Sequence, residues 1–302
     1  MRIIITGASG HFGRQSAERL LEKLPVGQLI LVSRNPDSLA DLAGRGAEVR
    51  YGDFDKPESL AAAFAGGERM LLISTTSVGR RRQQHGNAIN AARSAGVKHI
   101  VYTSFVGAAP DDPSLVGKEH RATEELLRES GLAWTFLRNS QYGEALAEMA
   151  IPNHLPTGKW QAIAAEGKIA LVSRDDCVDS AIAVLCGPGH ENKIYQITGP
   201  ELLTFRQVAA MAAEISGRPL QYVEISDEDM YAFYDSLGVP RAASENPNAE
   251  VVPWCSDDMI SFEQAIRGGY FAAISDDVQK LTGKRPRSMR EIIMAHRHLY
   301  KA

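Results

Sequence analysis

Glycines 7, 10 and 13 stand in the stretch Gly7-Ala-Ser9-Gly10-His11-Phe12-Gly13, directly after the β-branched run Ile3-Ile4-Ile5. The chemistry that this spacing offers is phosphate binding. A buried strand that turns tightly into a helix leaves the helix's first N–H groups pointing outward, at an end with partial positive charge. A pyrophosphate fits there. Glycine is needed where the backbone turns sharply, approaches the phosphates, or packs helix against sheet. A plain strand–helix turn accounts for one glycine, not three. Ser9, His11 and Phe12 lie within the same turn and are expected to line the same ligand.

The next candidates stand at strand ends. In an NAD-binding fold an acidic residue about twenty positions beyond the glycines grips the ribose 2′-hydroxyl. Here Ser33 and Arg34 occupy that place, with no carboxylate before Asp37. An arginine there pairs with a 2′-phosphate, so the expected cofactor is NADP(H), that is NADPH/NADP. The alternative is a solvated arginine beside the turn Asn35-Pro36-Asp37. Asp53, followed by Phe54, is placed to meet the adenine. Ser74, Thr75 and Thr76 fall at a carboxyl strand edge, where ligands sit in such sheets; helix capping is their other use. Thr103, Ser104 and Phe105 end another strand and are expected beside the nicotinamide. The run Arg80-Arg81-Arg82 reads as a solvated helix face rather than an anion site. His296 and His298 are two apart and point to different helix faces, so no metal site is expected.

These residues require strands that alternate with helices. Strands are expected at 3–5, 28–33, 49–53, 69–74, 99–104 and 134–138. The helices between them include 60–64, 85–95 and 119–130, the last two ending at Gly96 and Gly131. That alternation is the α/β, Rossmann-type doubly wound parallel sheet. Beyond Arg138 a strand at 168–173 near the sheet edge, a helix at 176–185, a short strand at 195–198 and a helix at 204–216 are expected. Leu220 to Ala273 is rich in aromatics, and its loops at Gly238-Val-Pro240 and Asn246-Pro-Asn248 suggest a smaller, mainly helical substrate lobe near the C-terminus laid over the cofactor. Aromatics usually serve a core, though a few can wall a site for a flat substrate. The expected organisation is a cofactor core over 1–138, with 139–302 supplying the remaining sheet edge and the substrate lobe, as one interleaved catalytic unit.

Composition limits the function classes. With 302 residues, 44% hydrophobic and 23% charged, the chain can build one large domain or a domain and a lobe. A formal charge of −4 and a pI near 6.1 argue against a nucleic-acid partner. Cys177, Cys186 and Cys255 are too few and scattered for a disulfide framework, which suits a reducing cytoplasm. Neither a signal peptide nor an apolar run of membrane-spanning length is expected.

Gly-Ala-Ser-Gly-His-Phe-Gly, Val-Ser-Arg-Asn-Pro, Tyr-Gly-Asp-Phe, His120-Arg-Ala-Thr-Glu124, Leu132-Ala-Trp-Thr-Phe-Leu-Arg138-Asn139 and Leu281-Thr-Gly-Lys-Arg-Pro286 resemble the NmrA-like group of atypical short-chain dehydrogenases. The likeness covers nearly the whole chain and is nearest to bacterial NADPH quinone reductases and triphenylmethane dye reductases. Ordinary short-chain dehydrogenases use a Tyr-x-x-x-Lys pair as proton donor and pKa modifier. None of the nine tyrosines here has a lysine four residues on; Val116 and His120 fall at the paired positions. The resemblance therefore implies hydride transfer to a quinone, dye or other conjugated aromatic, which needs no strong protein acid. It also implies that Asn139, Gln141 and Tyr142 line the substrate, although the group commonly has tryptophan at the place of Gln141 and asparagine at that of Ala145. His120 is a candidate either for proton donation or for a hydrogen bond to the cofactor ribose. Tyr142 is a second donor candidate, or a pocket wall. A non-catalytic NADP(H)-binding redox sensor, as some NmrA-like proteins are, is the competing function. The expected partner is a small aromatic molecule, and a homodimer is compatible with the pattern.

Overall fold

The computed structural model describes residues 1–243 and 254–301; the loop expected at Asn246-Pro-Asn248 lies outside them. The chain forms two compact units, one of Met1–Ser104, Glu119–Arg138 and Val178–Tyr195, the other of Phe105–Lys118, Asn139–Cys177 and Gln196–Ala302.

The first unit begins β1 (Ile3–Ile5), α1 (His11–Leu21), β2 (Leu29–Ser33), α2 (Ala40–Gly44), β3 (Glu48–Tyr51), α3 (Leu60–Phe64), β4 (Arg69–Leu72) and α4 (Arg81–Ser94). It continues through β5 (His99–Phe105), α5 (Leu115–Glu129) and β6 (Ala133–Asn139). Two strands follow beyond it in sequence, β7 (Lys159–Ala162) and β8 (Lys193–Ile197), and then β9 (Gln221–Glu224). The main sheet runs β3-β2-β1-β4-β5-β6-β8. β1 lies between β2 and β4, parallel to both, with Ile3 opposite Leu29 on one side and Arg69 on the other. The chain thus winds outward one way through β3 and then the other way from β4. Ligands bind in such sheets where that reversal opens a crevice at the carboxyl ends.

Strand alternation explains the packing. Ile4, Ile30, Val32, Met70, Leu72, Ile100 and Tyr102 share one core with Leu60 and Phe64 of α3, Ala88 and Ile89 of α4, and Leu127 of α5. Burial of each such aliphatic side chain is worth about 1.5–3 kcal/mol. Ile3, Ile4 and Ile5 are all fully buried, as expected of a central parallel strand.

The second unit has its own core around Phe105, Trp160, Phe205, Tyr222, Phe271 and Tyr300. Thr204 opens the helix Phe205–Ser216 with a capping box, and Gly217 closes it at φ 68°. One expectation needs correction. The stretch 168–173 is not a regular strand; it makes only isolated bridges, Ile169 with Leu203 and Val172 with Tyr142. Its apolar residues serve burial, since Ile169 through Val172 are nearly inaccessible, and its backbone hydrogen bonds are divided among Leu203, Gly199 and the segment 141–143. The second unit also holds a short strand pair, β7 and β9, which run parallel with Trp160 opposite Tyr222. Among the lobe aromatics Tyr222 and Phe271 are core, whereas Phe233, Trp254 and Tyr270 stay exposed.

Candidate cofactor and active site

The turn after β1 uses its glycines for different physical reasons. Gly7 has φ 59°, a left-handed conformation. A Cβ on Gly13 would lie 2.4 Å from Gly7 O and 2.8 Å from Ala8 Cα, so α1 packs on the turn more closely than a side chain permits. At Gly10 a Cβ would meet only Gly7 O, at 3.4 Å. Gly10 is the N-cap of α1, with no side-chain cap and no acidic residue in the first turn. The positive end of this helix is therefore left open to an anion.

In front of it lies a cavity of about 350 Å³. It brings together Gly7, Ser9, Gly10, His11, Phe12, Gly13, Arg34, Asp53, Phe54, Ser74, Thr75 and Thr76, with Ser33, Gly52 and Gln84 beside them. Ser33, at the end of β2, donates to Ser9 Oγ (3.0 Å) and accepts from the Asn35 N–H (2.9 Å), which ties this wall to the glycine turn. Arg34 follows it, exposed. Arg14, by contrast, is spent on Asp41 and Glu18. Asp53 accepts from the Asp55 N–H (3.0 Å), holding its own turn.

The wall after β4 is clamped from α4. The Thr75 N–H donates to His85 Nε2 (3.1 Å), and Arg81 Nε donates to Thr75 O (2.6 Å). Arg81 also reaches Glu119 at 2.7 Å, and the Gly79 N–H donates to the same carboxylate. Arg80 pairs with Asp55. The arginine run is thus not a solvated face: only Arg82 is exposed, because Arg81 turns inward to backbone and carboxylate acceptors. Burial, aided by the Arg81 charge, pushes His85 down to about 3. The neutral ring accepts at Nε2, so its proton sits on Nδ1 and is donated to Thr123 Oγ1 (2.9 Å). Gln84 donates its amide to Asp55 (3.0 Å). That leaves Gln84 Oε1 and Thr75 Oγ1 as buried polar atoms without protein partners, both on residues that line the cavity.

Thr103, Ser104 and His120 do not line this cavity. Thr103 Oγ1 accepts from the Ser74 N–H (2.8 Å), and Ser104 donates to Glu124 (2.7 Å). Glu124, fully buried, also accepts from Arg138 through both its oxygens, at 2.9 and 2.7 Å. His120 is 5% exposed, and its Nδ1 meets the Tyr102 hydroxyl at 2.8 Å. Burial pushes the Tyr102 phenol up. Burial, with the Arg81 charge, holds His120 well below the usual histidine range. In the second unit Phe105 packs against Phe271, ring centroids 4.8 Å apart. There Asn139 donates its amide to the Tyr142 oxygen (3.3 Å), and the phenol is pushed up by burial. Asn139 Oδ1 and Gln141 Oε1 are buried without partners.

The NAD(P)H-binding family matches residues 7–152. Quinone oxidoreductase 2 of Escherichia coli (strain K12) is 39% identical over 243 residues, which cover 80% of this chain and 84% of that protein. The chain belongs to this NmrA-like reductase family. It is an NAD(P)H-dependent oxidoreductase. The NAD(P)H azoreductase of Xenophilus azovorans is 31% identical over 97% of both chains. The crystal structure of an E. coli NADPH-dependent quinone oxidoreductase complexed with NADPH superposes with a TM-score of 0.87 at 34% identity, over 99% of this chain and all of that one. The triphenylmethane reductase of a Citrobacter species gives 0.84 at 32%, over 99% and 100%.

The cavity of this reductase suits its cofactor on its own terms: an uncapped helix end, an unfilled face at Gly10, an unpaired arginine, and two orphaned polar atoms. Sequence reasoning passed over Gln84, His85, Tyr102 and Glu119. A signal existed for two of them. Arg81, Gln84 and His85 are spaced i, i+3, i+4, the spacing of one helix face, and no apolar residue stands there to be buried instead. Among the described residues, no cluster of His, Cys, Asp and Glu could hold a metal, and no helix is long and apolar enough to cross a membrane.

Proposed function

We propose that this reductase prefers NADPH to NADH and passes hydride to a quinone-like, dye-like or other conjugated aromatic acceptor, without a Tyr-x-x-x-Lys pair. The observation that carries the cofactor half is Arg34, an exposed guanidinium on the cavity wall where a carboxylate would select NADH. In this reading the α1 N-terminus holds the pyrophosphate, Arg34 the 2′-phosphate, and Asp53 and Phe54 the adenine. Ser74, Thr75 and Thr76 run along the cofactor towards Thr103, Ser104 and His120. The bound cofactor supplies a hydride.

For the acceptor half, the chain offers little acid. Val116 and His120 stand where tyrosine and lysine would, and His120 is neutral near pH 7 because burial disfavours its charged form. It serves as a hydrogen-bond donor to the cofactor ribose. Phe105, Asn139, Gln141 and Tyr142 are assigned to the acceptor, with the Tyr142 oxygen accepting from Asn139. An acceptor that spreads incoming charge over a conjugated system tolerates such a site. Relatives named for quinone, azo and triphenylmethane reduction support that class. Three cysteines without a disulfide suit a reducing cytoplasm.

NADPH oxidation against a panel of quinones, azo dyes and triphenylmethane dyes tests the reading, alongside titration of both cofactors. Charge-assisted contacts of this kind are worth about 1.5–3 kcal/mol, or about 10–100-fold. Arg34→Ala should erase a preference of that size for NADPH while leaving NADH binding unchanged. Equal affinities of the wild type for the two cofactors would remove the assignment of Arg34, and silence across the panel would remove the acceptor class.

A further inference from the structure

The clamp on Thr75 has a geometry that neither cavity shape nor sequence pattern demands. Both polar groups of one peptide segment are taken by side chains of a single helix: the Thr75 N–H by His85 Nε2 and the Thr75 carbonyl by Arg81 Nε. His85 is fully buried and cannot swivel, since its Nδ1 proton is committed to Thr123 Oγ1, which itself donates to Glu119 O. The Tyr102 ring stands edge-on to it, centroids 5.5 Å apart. A backbone so fixed keeps the Thr75 side chain in one place, and its hydroxyl is buried without a protein partner.

We propose that His85 is a positioning residue for the cofactor: by accepting the Thr75 N–H it holds the Thr75 hydroxyl ready for a polar group of the bound dinucleotide. The inference rests on the reading of this cavity as the NADP(H) site. His85 does not line the cavity; it acts through Thr75. Its neutral ring is essential, because a protonated Nε2 would face the Thr75 N–H with a second donor.

The test exploits which ring nitrogen each amide side chain replaces. In His85→Gln the amide oxygen stands at the position of Nε2 and can still accept from Thr75. In His85→Asn the amide reaches only the Nδ1 position, so Thr123 keeps its partner and Thr75 loses one. NADPH titration, kcat and KM would be measured for wild type, both variants and Thr75→Val, with the thermal midpoint of each. His85→Asn should weaken NADPH binding about tenfold or more, the usual cost of an abandoned hydrogen-bonding group. Thr75→Val should do the same, with KM for NADPH rising more than kcat falls, and His85→Gln should bind within about threefold of wild type. Wild-type affinity in His85→Asn would overturn the proposal. So would equal losses in Gln and Asn variants that track a lowered midpoint, since that is the mark of lost ring packing. A wild-type protein that binds no NADPH would instead refute the cofactor site itself.

Discussion

Gly10 and Gly13 stand three residues apart in one turn, yet methyl groups added to them should fail in opposite ways. On Gly13 the new carbon would lie 2.4 Å from Gly7 O and 2.8 Å from Ala8 Cα, both backbone atoms that cannot rotate aside. An ordinary contact needs about 1 Å more, so α1 must lift off β1, and overpacking of this kind costs about 1–3 kcal/mol. Better helix propensity returns up to about 1 kcal/mol. Gly13→Ala should therefore lower the thermal midpoint by about 2–8 °C, at a few degrees per kcal/mol for a chain of this size. On Gly10 the methyl would touch only Gly7 O, at 3.4 Å, and φ is an ordinary −77°. Gly10→Ala should fold with a loss under about 1 kcal/mol, that of an alanine N-cap. Its methyl would stand on the face offered to the pyrophosphate and weaken charge-assisted N–H contacts, for about 10–100-fold in NADPH affinity. Differential scanning fluorimetry and NADPH titration on the two proteins decide the matter. A Gly10→Ala protein that binds NADPH like wild type, or a Gly13→Ala protein with an unchanged midpoint, would refute this account of the turn.

Two pH profiles follow from the buried rings. His85 and His99 are pushed down by burial to about 3 and about 4, against about 6.5 in the unfolded chain. Their folded pKa values are depressed, so the stability they contribute is complete above pH 6.5 and lost as pH falls, because the unfolded chain takes up the protons first. Urea unfolding near pH 5 should lose stability at up to about 2.7 kcal/mol per pH unit from the pair, with about half of that removed by His85→Gln; a stability equal at pH 7 and pH 5 would contradict it. For turnover, His120 is held low and Tyr142 is pushed above its ordinary value, so kcat with a quinone acceptor should be flat from about pH 6.5 to about 9. A limb near pH 6.5 that disappears in His120→Asn would show a titrating acid and refute the neutral assignment.

The frame of the molecule was legible because it rests on local rules. Isoleucines 3–5 directly before a glycine turn, and strands that alternate with glycine-ended helices, dictate a parallel sheet with little help from distant residues. The edge after Arg138 was less legible for the same reason. Ile169 to Val172 are as apolar as a strand, but burial alone does not say whether a ladder forms, and here the backbone groups are divided among three separate segments. The four-residue strands β7 and β9 leave too short an alternation to be noticed. At the site, hydroxyls at strand ends were expected along the ligand; Ser74, Thr75 and Thr76 line the cavity, and Thr103 and Ser104 do not. What the sequence lacks is where each hydroxyl spends its hydrogen bond. The Thr103 hydroxyl accepts from the Ser74 N–H and that of Ser104 donates to Glu124, whereas Thr75 keeps its own unclaimed.

That difference in expenditure also bears on how the reductase divides its labour. The first unit carries buried polar groups in number, His85, Arg81, Tyr102, His120 and Glu124, with Glu119 half-buried beside them. Nearly all of their capacity goes into fixing backbone and one another, and what remains towards the cavity is a helix end, Arg34, Thr75 Oγ1 and Gln84 Oε1. Such a set binds and orients a dinucleotide and has little means of delivering a proton. Orientation alone can supply several kcal/mol of a barrier when the reacting partners are held in line. It cannot replace an acid for an acceptor that must localise charge on one oxygen. A conjugated acceptor removes that demand, because the charge spreads and the proton can come later from water. In the proposed function, the lack of a tyrosine–lysine pair, the neutral buried His120 and the rigidly clamped cavity wall are three aspects of one design, in which positioning takes the place of acid catalysis.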